Sequence, residues 1–376
     1  MNKNVWKPLL GVLALVFVLA ACNGQLKPQM QQQDFDKSIN NYKTGVMEVA
    51  ADLAEDEALQ ALMSLPGNPP GVDAFSLGAA MMALGPQSAF QSAPGLLSAV
   101  MPLADNNLER GKYDYDSTNG WEQDPSYTGD DLVLTWSFED KQGNTHLAKL
   151  TFDWNYGKTT VEVRESYGDT SEMPQDMKVT LKVDNNEAGS LHGQFEWYSC
   201  NGVLIAEATR YAFDGYVGVS DRVEFDLELN VSDTRVSTKG KVSARSGGDS
   251  ASFSWNAWAD GRMQRDAGCF SSRFDVNKGH VDFQTSETVS GETSSFAFNT
   301  DFTLNLDTNG NPVSAGLSNG FVKVNGTVAF TFSGTLDDAN KNCVPGENVT
   351  LVFADRTTTL EQYLINQGVR PVCHSD

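Results

Sequence analysis

The sequence predicts a mainly β protein: a large antiparallel meander curled into a half-barrel, a barrel or two packed sheets, with an N-terminal helical region. Three observations predict it. From about Leu108 onward apolar residues alternate with polar ones, the period of strands with one buried face. Turn signals rich in Gly, Asn and Asp interrupt that alternation. Before Leu108 the apolar spacing is that of a helix.

The elements follow in chain order. MNKNVWK carries Lys3 and Lys7 and no acid, and Leu9 to Leu19 is an uncharged apolar run of eleven residues. That run is too short to span a bilayer as a mature helix and is sized for a signal-peptide core. Small residues then run straight into a cysteine. Leu19-Ala20-Ala21-Cys22 resembles the lipobox of bacterial lipoproteins. The resemblance implies that residues 1–21 are a signal peptide removed before Cys22, that lipid is attached to the Cys22 thiol, and that the new amino terminus is acylated. The partner it implies is a membrane, reached through several acyl chains, which hold far better than one. The expected location is the bacterial cell envelope. Asn23 is not the Asp that some diderm bacteria use to retain lipoproteins in the inner membrane, so the outer membrane is favoured.

Residues 22–33 are polar and Gln-rich after the cysteine and read as a tether. Residues 34–106 read as a helical, apolar region. Within it Phe35, Ile39, Tyr42, Val46, Val49 and Leu53 step by four and three, one stripe of a helix that Gly45 weakens. Asp56 is placed to cap a shorter helix bearing Leu59, Leu62 and Met63, which must stop near PGNPPG at 66–71. Residues 72–104 carry one charged side chain, Asp73, and are broken by Gly78, Gly85, Pro86, Pro94 and Gly95. The pieces are too short to span a bilayer, so the segment is expected to shield an apolar surface of the β region.

Residues 107–376 read as the β domain. Leu132, Leu134, Trp136 and Phe138 share a face, as do Leu150, Phe152 and Trp154, and Val179, Leu181 and Val183. Val223, Phe225, Leu227, Leu229 and Val231 alternate with acids or Asn. Phe296, Phe298, Phe302, Leu304 and Leu306 form another stripe, and Val328, Phe330 and Phe332 a last one. Turns are expected at 141–144, 185–189, 259–261 and 307–311. About a dozen strands result. Trp136, Trp154, Trp197 and Trp255 suggest a tryptophan recurring near hairpin ends.

The formal charge is −22, and losing Lys3 and Lys7 with the signal peptide makes it −24. Such a surface argues against nucleic acid and is repelled by anionic head groups, so the anchor must supply the membrane affinity. Beyond Cys22 lie Cys200, Cys269, Cys343 and Cys373, an even number that suggests two disulfides in an exported chain, with three pairings open. Joining Cys343 to Cys373 ties down the tail and leaves Cys200 with Cys269.

The sequence carries few motifs of known chemistry. The histidines His146, His192, His280 and His374 form no close metal-binding pair; His146 and His192 read as surface residues near strand starts. No nucleophile elbow, P-loop or dinucleotide fingerprint occurs, and neither a catalytic residue, a metal nor a cofactor is expected. Asp307, Asn309 and Asn311 alternate, but Pro312 and Ser318 occupy the Gly and Glu places of a calcium loop. Asp338, Asn340 and Asn342 fail likewise, at Cys343 and Val349. In YDYDSTNGWEQDPSY, residues 113–127, Trp121 with Asp114, Asp116, Glu122 and Asp124 has the chemistry to stack on a sugar; a hairpin with a wet connection is the preferred reading.

The function expected first is a non-catalytic binding or structural module of the envelope, its protein partner unspecified. Second comes a carrier of a lipid or other hydrophobic small molecule in a half-barrel cavity. That architecture is similar to the half-barrel lipid-carrier lipoproteins of bacterial envelopes, a likeness of anchor, N-terminal helices and strand number without a shared motif. An exported hydrolase comes last. The four cysteines, the helical region and the ending RPVCHSD argue against a membrane-spanning barrel.

Overall fold

The computed structural model describes residues 27–53, 55–67, 110–158, 160–165, 168–306, 312–337, 344 and 346–367. Among them the alternating stretches form one large open sheet. Its strands are β1 (Gly111–Asp116), β2 (Gly120–Gln123), β3 (Leu132–Glu139), β4 (Thr145–Asp153), β5 (Thr160–Arg164), β6 (Thr170–Pro174), β7 (Asp176–Val183), β8 (Asn186–Cys200) and β9 (Val203–Val217). They continue as β10 (Arg222–Val231), β11 (Arg235–Ser246), β12 (Asp249–Arg265), β13 (Ser271–Val289), β14 (Glu292–Leu306), β15 (Pro312–Val324), β16 (Thr327–Leu336), β17 (Asn348–Val352) and β18 (Thr357–Thr359). The helices are α1 (Gln32–Leu53), α2 (Glu57–Met63) and α3 (Leu360–Asn366).

Pairing runs β2–β1–β3–β4–β7 and then in chain order to β18. The β5–β6 hairpin leaves the sheet between β4 and β7 and returns to β9 through one bridge, Arg164 to Ile205. The edge strands β2 and β18 have four and three residues, short as exposed edges usually are. The sheet is mixed rather than purely antiparallel, because β1 lies parallel to β3. It is also richer in strands than the dozen expected. The extra ones, such as β1, β2, β5, β6 and β18, have three to six residues, too few to show a period.

Two other expectations are corrected. Ala259-Asp260-Gly261 is no turn; it lies inside β12, where the register against β13 shifts as at a bulge. Trp136 and Trp255 sit within their strands rather than at hairpin ends. The 185–189 signal is a tight turn at Asp184-Asn185, with φ of 49° and 69°, after which β8 begins.

The inner face is apolar. One cluster gathers around Trp136, Phe152, Phe195 and Trp255, a second around Phe298, Phe302, Phe330 and Phe353, and Phe274 and Phe283 pack against both. Bare strand positions on this face admit rings. Gly240 pairs with Trp255, and a Cβ at Gly240 would stand 2.4 Å from the indole; Gly279 and Phe302 repeat the arrangement.

Helix α1 crosses the strands on this inner face, and Phe35, Tyr42, Val49 and Leu53 of its stripe are buried as the spacing predicts. Phe35 packs edge-on against Phe330, with centroids 4.9 Å apart, and beside Phe296 and Phe353. Tyr42 meets Phe296 edge-on, and its hydroxyl is hydrogen-bonded to Thr285. Val49 and Leu53 enter the first cluster. Gly45, costly for an isolated helix, is what allows the approach: a Cβ there would lie 2.1 Å from Oε2 of the buried Glu287. Burial, foremost, pushes the Tyr42 hydroxyl well above its usual pKa.

Asp56 caps α2 as expected and does more. Its Oδ1 accepts from the Ala58 N–H at 2.9 Å, while Oδ2 accepts from the N–H groups of Val219, Ser220 and Asp221 at 2.9, 3.2 and 3.3 Å. One buried carboxylate thus fastens the N-terminal region to the β9–β10 turn. The segment 72–104 lies outside the described residues.

Candidate functional site

The strand period that fills the inner face also decides what the outer face carries. On β12 Ala257 and Ala259 point inward and are buried, so Trp258 points outward. Register places Trp258 opposite His280 on β13, His280 opposite Asp301 on β14, and Asp301 opposite Ser318 on β15. The row ends at a bulge, where Ser318 to Phe321 of β15 oppose only Asn299 to Asp301. There Asn319 adopts φ 60°. Asp184, Asn185, Asn201, Ser290 and Asn325 adopt the left-handed region in hairpin turns, whereas Asn319 does so within a strand.

The bulge aims the Asn319 amide at the row, and its Nδ2 donates to Asp301 Oδ2 at 3.0 Å. His280 Nδ1 and Asp301 Oδ1 are 2.8 Å apart, and Asn299 Nδ2 donates to His280 Nε2 at 3.3 Å. In the neutral imidazole these partners require the proton on Nδ1, leaving Nε2 as the acceptor. Trp258 and His280 lie nearly parallel, 19° between planes. The Arg235 guanidinium sits 4.3 Å above the Trp258 ring and is held there by two bonds to Asp260, at 2.6 and 3.0 Å. Burial pushes the Asp301 pKa up, but the bonds from Asn319 and His280 outweigh it and hold the group below the usual range.

Chemically this is an oriented imidazole without a nucleophile. The atom facing Nε2 is an amide nitrogen rather than a hydroxyl or thiol, so the row lacks the geometry of a Ser-His-Asp relay. It offers a guanidinium and an indole, the residue types that anchor binding surfaces, beside carboxylates and amides. Among the described residues no three His, Cys, Asp or Glu side chains converge as a metal site. Sequence reasoning missed Arg235, Trp258, Asp301 and Asn319. The available signal was phase: Trp258 falls in the polar beat of its strand.

Residues singled out in the sequence fall elsewhere. Cys200, at the end of β8, and Cys269, in the β12–β13 turn, are disulfide-bonded, with Cα atoms 6.2 Å apart. Arg265 braces the same corner: it pairs with Glu207 at 2.9 Å and Asp233 at 2.8 Å, donates to the Cys269 carbonyl, and lies over the Tyr198 ring. His146 is not the surface residue expected. Its side chain is 13% exposed, stacks on Phe138, and lies between Asp184 (Nδ1, 2.8 Å) and Asp140 (Nε2, 3.2 Å). Those bonds, that of Asp184 foremost, raise its pKa. Bonds from Asn144 foremost hold Asp140 down at about 2. His192 lies within β8, bonded to Asp176.

Residues 113–127 contain the β1–β2 hairpin, in which Trp121 pairs with Tyr115 and packs against the core, while Lys112 draws in Asp114 and Asp124. Cys22, Cys343, Cys373, His374 and the two Asp/Asn loops lie outside the described residues.

The architecture is thus a large open β-sheet with a helix laid across its inner face. No protein-family model matches this chain, and no curated protein or solved structure matches it either. No helix among the described residues is long and apolar enough to cross a membrane.

Proposed function

We propose that this chain is a lipoprotein of the bacterial cell envelope, held by acylated Cys22 and favoured for the outer membrane, that works as a non-catalytic binding or structural module. The anchor rests on Leu19-Ala20-Ala21-Cys22 behind the apolar run. The observation that carries the rest is the place of α1. The helix lies where a half-barrel carrier would hold its ligand, and Phe35, Tyr42, Val49 and Leu53 occupy that face themselves. Recognition is left to the outer face, where the Arg235–Trp258–His280–Asp301 row presents its polar and aromatic groups.

The test combines fractionation with ligand extraction. The wild-type chain should sediment with membranes and Cys22→Ala should not. The purified Cys22→Ala chain should release no lipid into organic solvent and should take up no fluorescent fatty acid. A Cys22→Ala chain that stays in membranes overturns the anchor. Stoichiometric lipid in the purified domain overturns the non-carrier role.

A further inference from the structure

We infer that the end of the sheet carrying the β15–β16 turn faces the lipid bilayer, with the disulfide-clamped end held farthest from it. The inference rests on the Cys22 anchor proposed above and adds an orientation to it. Strand order divides the turns into two sets. At one end lie the turns at 140–144, 184–185, 218–221, 247–248, 290–291, 325–326 and 353–356; at the other lie 201–202, 232–234 and 266–270.

The described chain enters at the first end. Gln29 donates its N–H to the Val328 carbonyl at 2.9 Å, Ala354 donates to Met30 at 3.1 Å, and the Gln32 N–H bonds Asp355 at 3.1 Å. These contacts fix residues 29–32 against the β15–β16 and β17–β18 turns, so part of the stretch read as a tether is bound to the sheet. From Cys22 to Gln29 a fully extended chain reaches only about 24 Å. Strand β13, with 19 residues, spans roughly 60 Å between the two ends. An anchor at Cys22 therefore reaches the bilayer from the first end and cannot bring the second end down unless the sheet lies flat. Lying flat is opposed by charge: the chain without Lys3 and Lys7 carries −24, and anionic head groups repel it. The Cys200–Cys269 corner and the Arg265 cluster then point away from the membrane, toward whatever partner the module meets.

The test uses the natively processed, full-length chain in vesicles of phosphatidylethanolamine and phosphatidylglycerol that carry an acceptor dye on a fraction of head groups. A donor is introduced through a clickable amino acid at exposed Glu292, at the first end, or at exposed Thr234 or Ala267, at the second. Energy transfer should be several-fold stronger from position 292 than from 234 or 267. A chain that floats with the vesicles but transfers equally from both ends, or more from 234 and 267, overturns the orientation alone. A chain that does not float with vesicles overturns the anchor and the orientation with it.

Discussion

Replacing Asp56 with Asn separates two roles that one carboxylate plays. As a helix cap Asn is as good as Asp, so a side chain that merely capped α2 would tolerate the change. Asp56 also places Oδ2 before three backbone N–H groups, at Val219, Ser220 and Asp221, and the residue is only 3% exposed. An amide in the same pose either turns its NH2 toward those donors or abandons the Ala58 N–H. The charge goes too, and bonds to a charged acceptor are the stronger kind. Two of the three bonds exceed 3.1 Å, so the low end of the cost of a buried donor left unpaired fits each, about 1 kcal/mol, or about 3 kcal/mol in all. Asp56→Ala also removes the cap, for about 4 kcal/mol. With a urea slope of about 3 kcal/mol per molar, Asp56→Asn should lower the unfolding midpoint by roughly 1 M. The assay is urea unfolding followed by tryptophan fluorescence and far-ultraviolet circular dichroism. An Asp56→Asn midpoint equal to wild type would contradict the three-donor role and reduce Asp56 to a cap.

Other expectations follow from the same geometry. Gly45→Ala should destabilise by about 1–2 kcal/mol despite the better helix propensity of Ala, because the new Cβ meets the Glu287 carboxylate; a stabilised variant would mean that α1 does not approach β13 this closely. The His146 contribution has a defined sign. Its folded pKa is raised, so the stability it adds is full below about pH 6.5 and is lost as pH climbs through the raised value. Asp140 and Asp184 are depressed, so theirs is present above about pH 4 and is lost on acidification. Unfolding curves from pH 5 to 9 should show the alkaline loss in wild type and not in His146→Gln. Substituting both Cys200 and Cys269 by Ser, which opens a sequence separation of 69, should cost about 4 kcal/mol. Ready alkylation of both in unreduced, denatured wild type would show them to be thiols.

What the sequence made legible was whatever repeats over a long stretch. The stripe from Phe35 to Leu53 and the faces of β3, β7, β10 and β16 were readable because each side chain had several neighbours in phase. Asp56 was legible as a cap because capping is local, but its three further donors come from more than 160 residues away. Distance hid the outer row too: Trp258, His280 and Asp301 meet through register, which no single strand displays. His146 misled for the same reason, since Asp184 reaches it from the neighbouring hairpin. Gly45 looked like a weakness of the helix and proved to be its docking point. The parallel pairing of β1 with β3 left no trace in composition.

Helix α1 is an integral part of the inner face rather than a removable occupant of it. Native-state hydrogen exchange, read by mass spectrometry on peptides covering 35–53 and on peptides from β12 and β13, tests it directly. The α1 amides should open with the same free energy as those of the two strands and lose protection together with them as denaturant is added. Exchange of α1 through a local opening several kcal/mol cheaper than that of β12 and β13, with the sheet still protected, would contradict it and make the helix a lid.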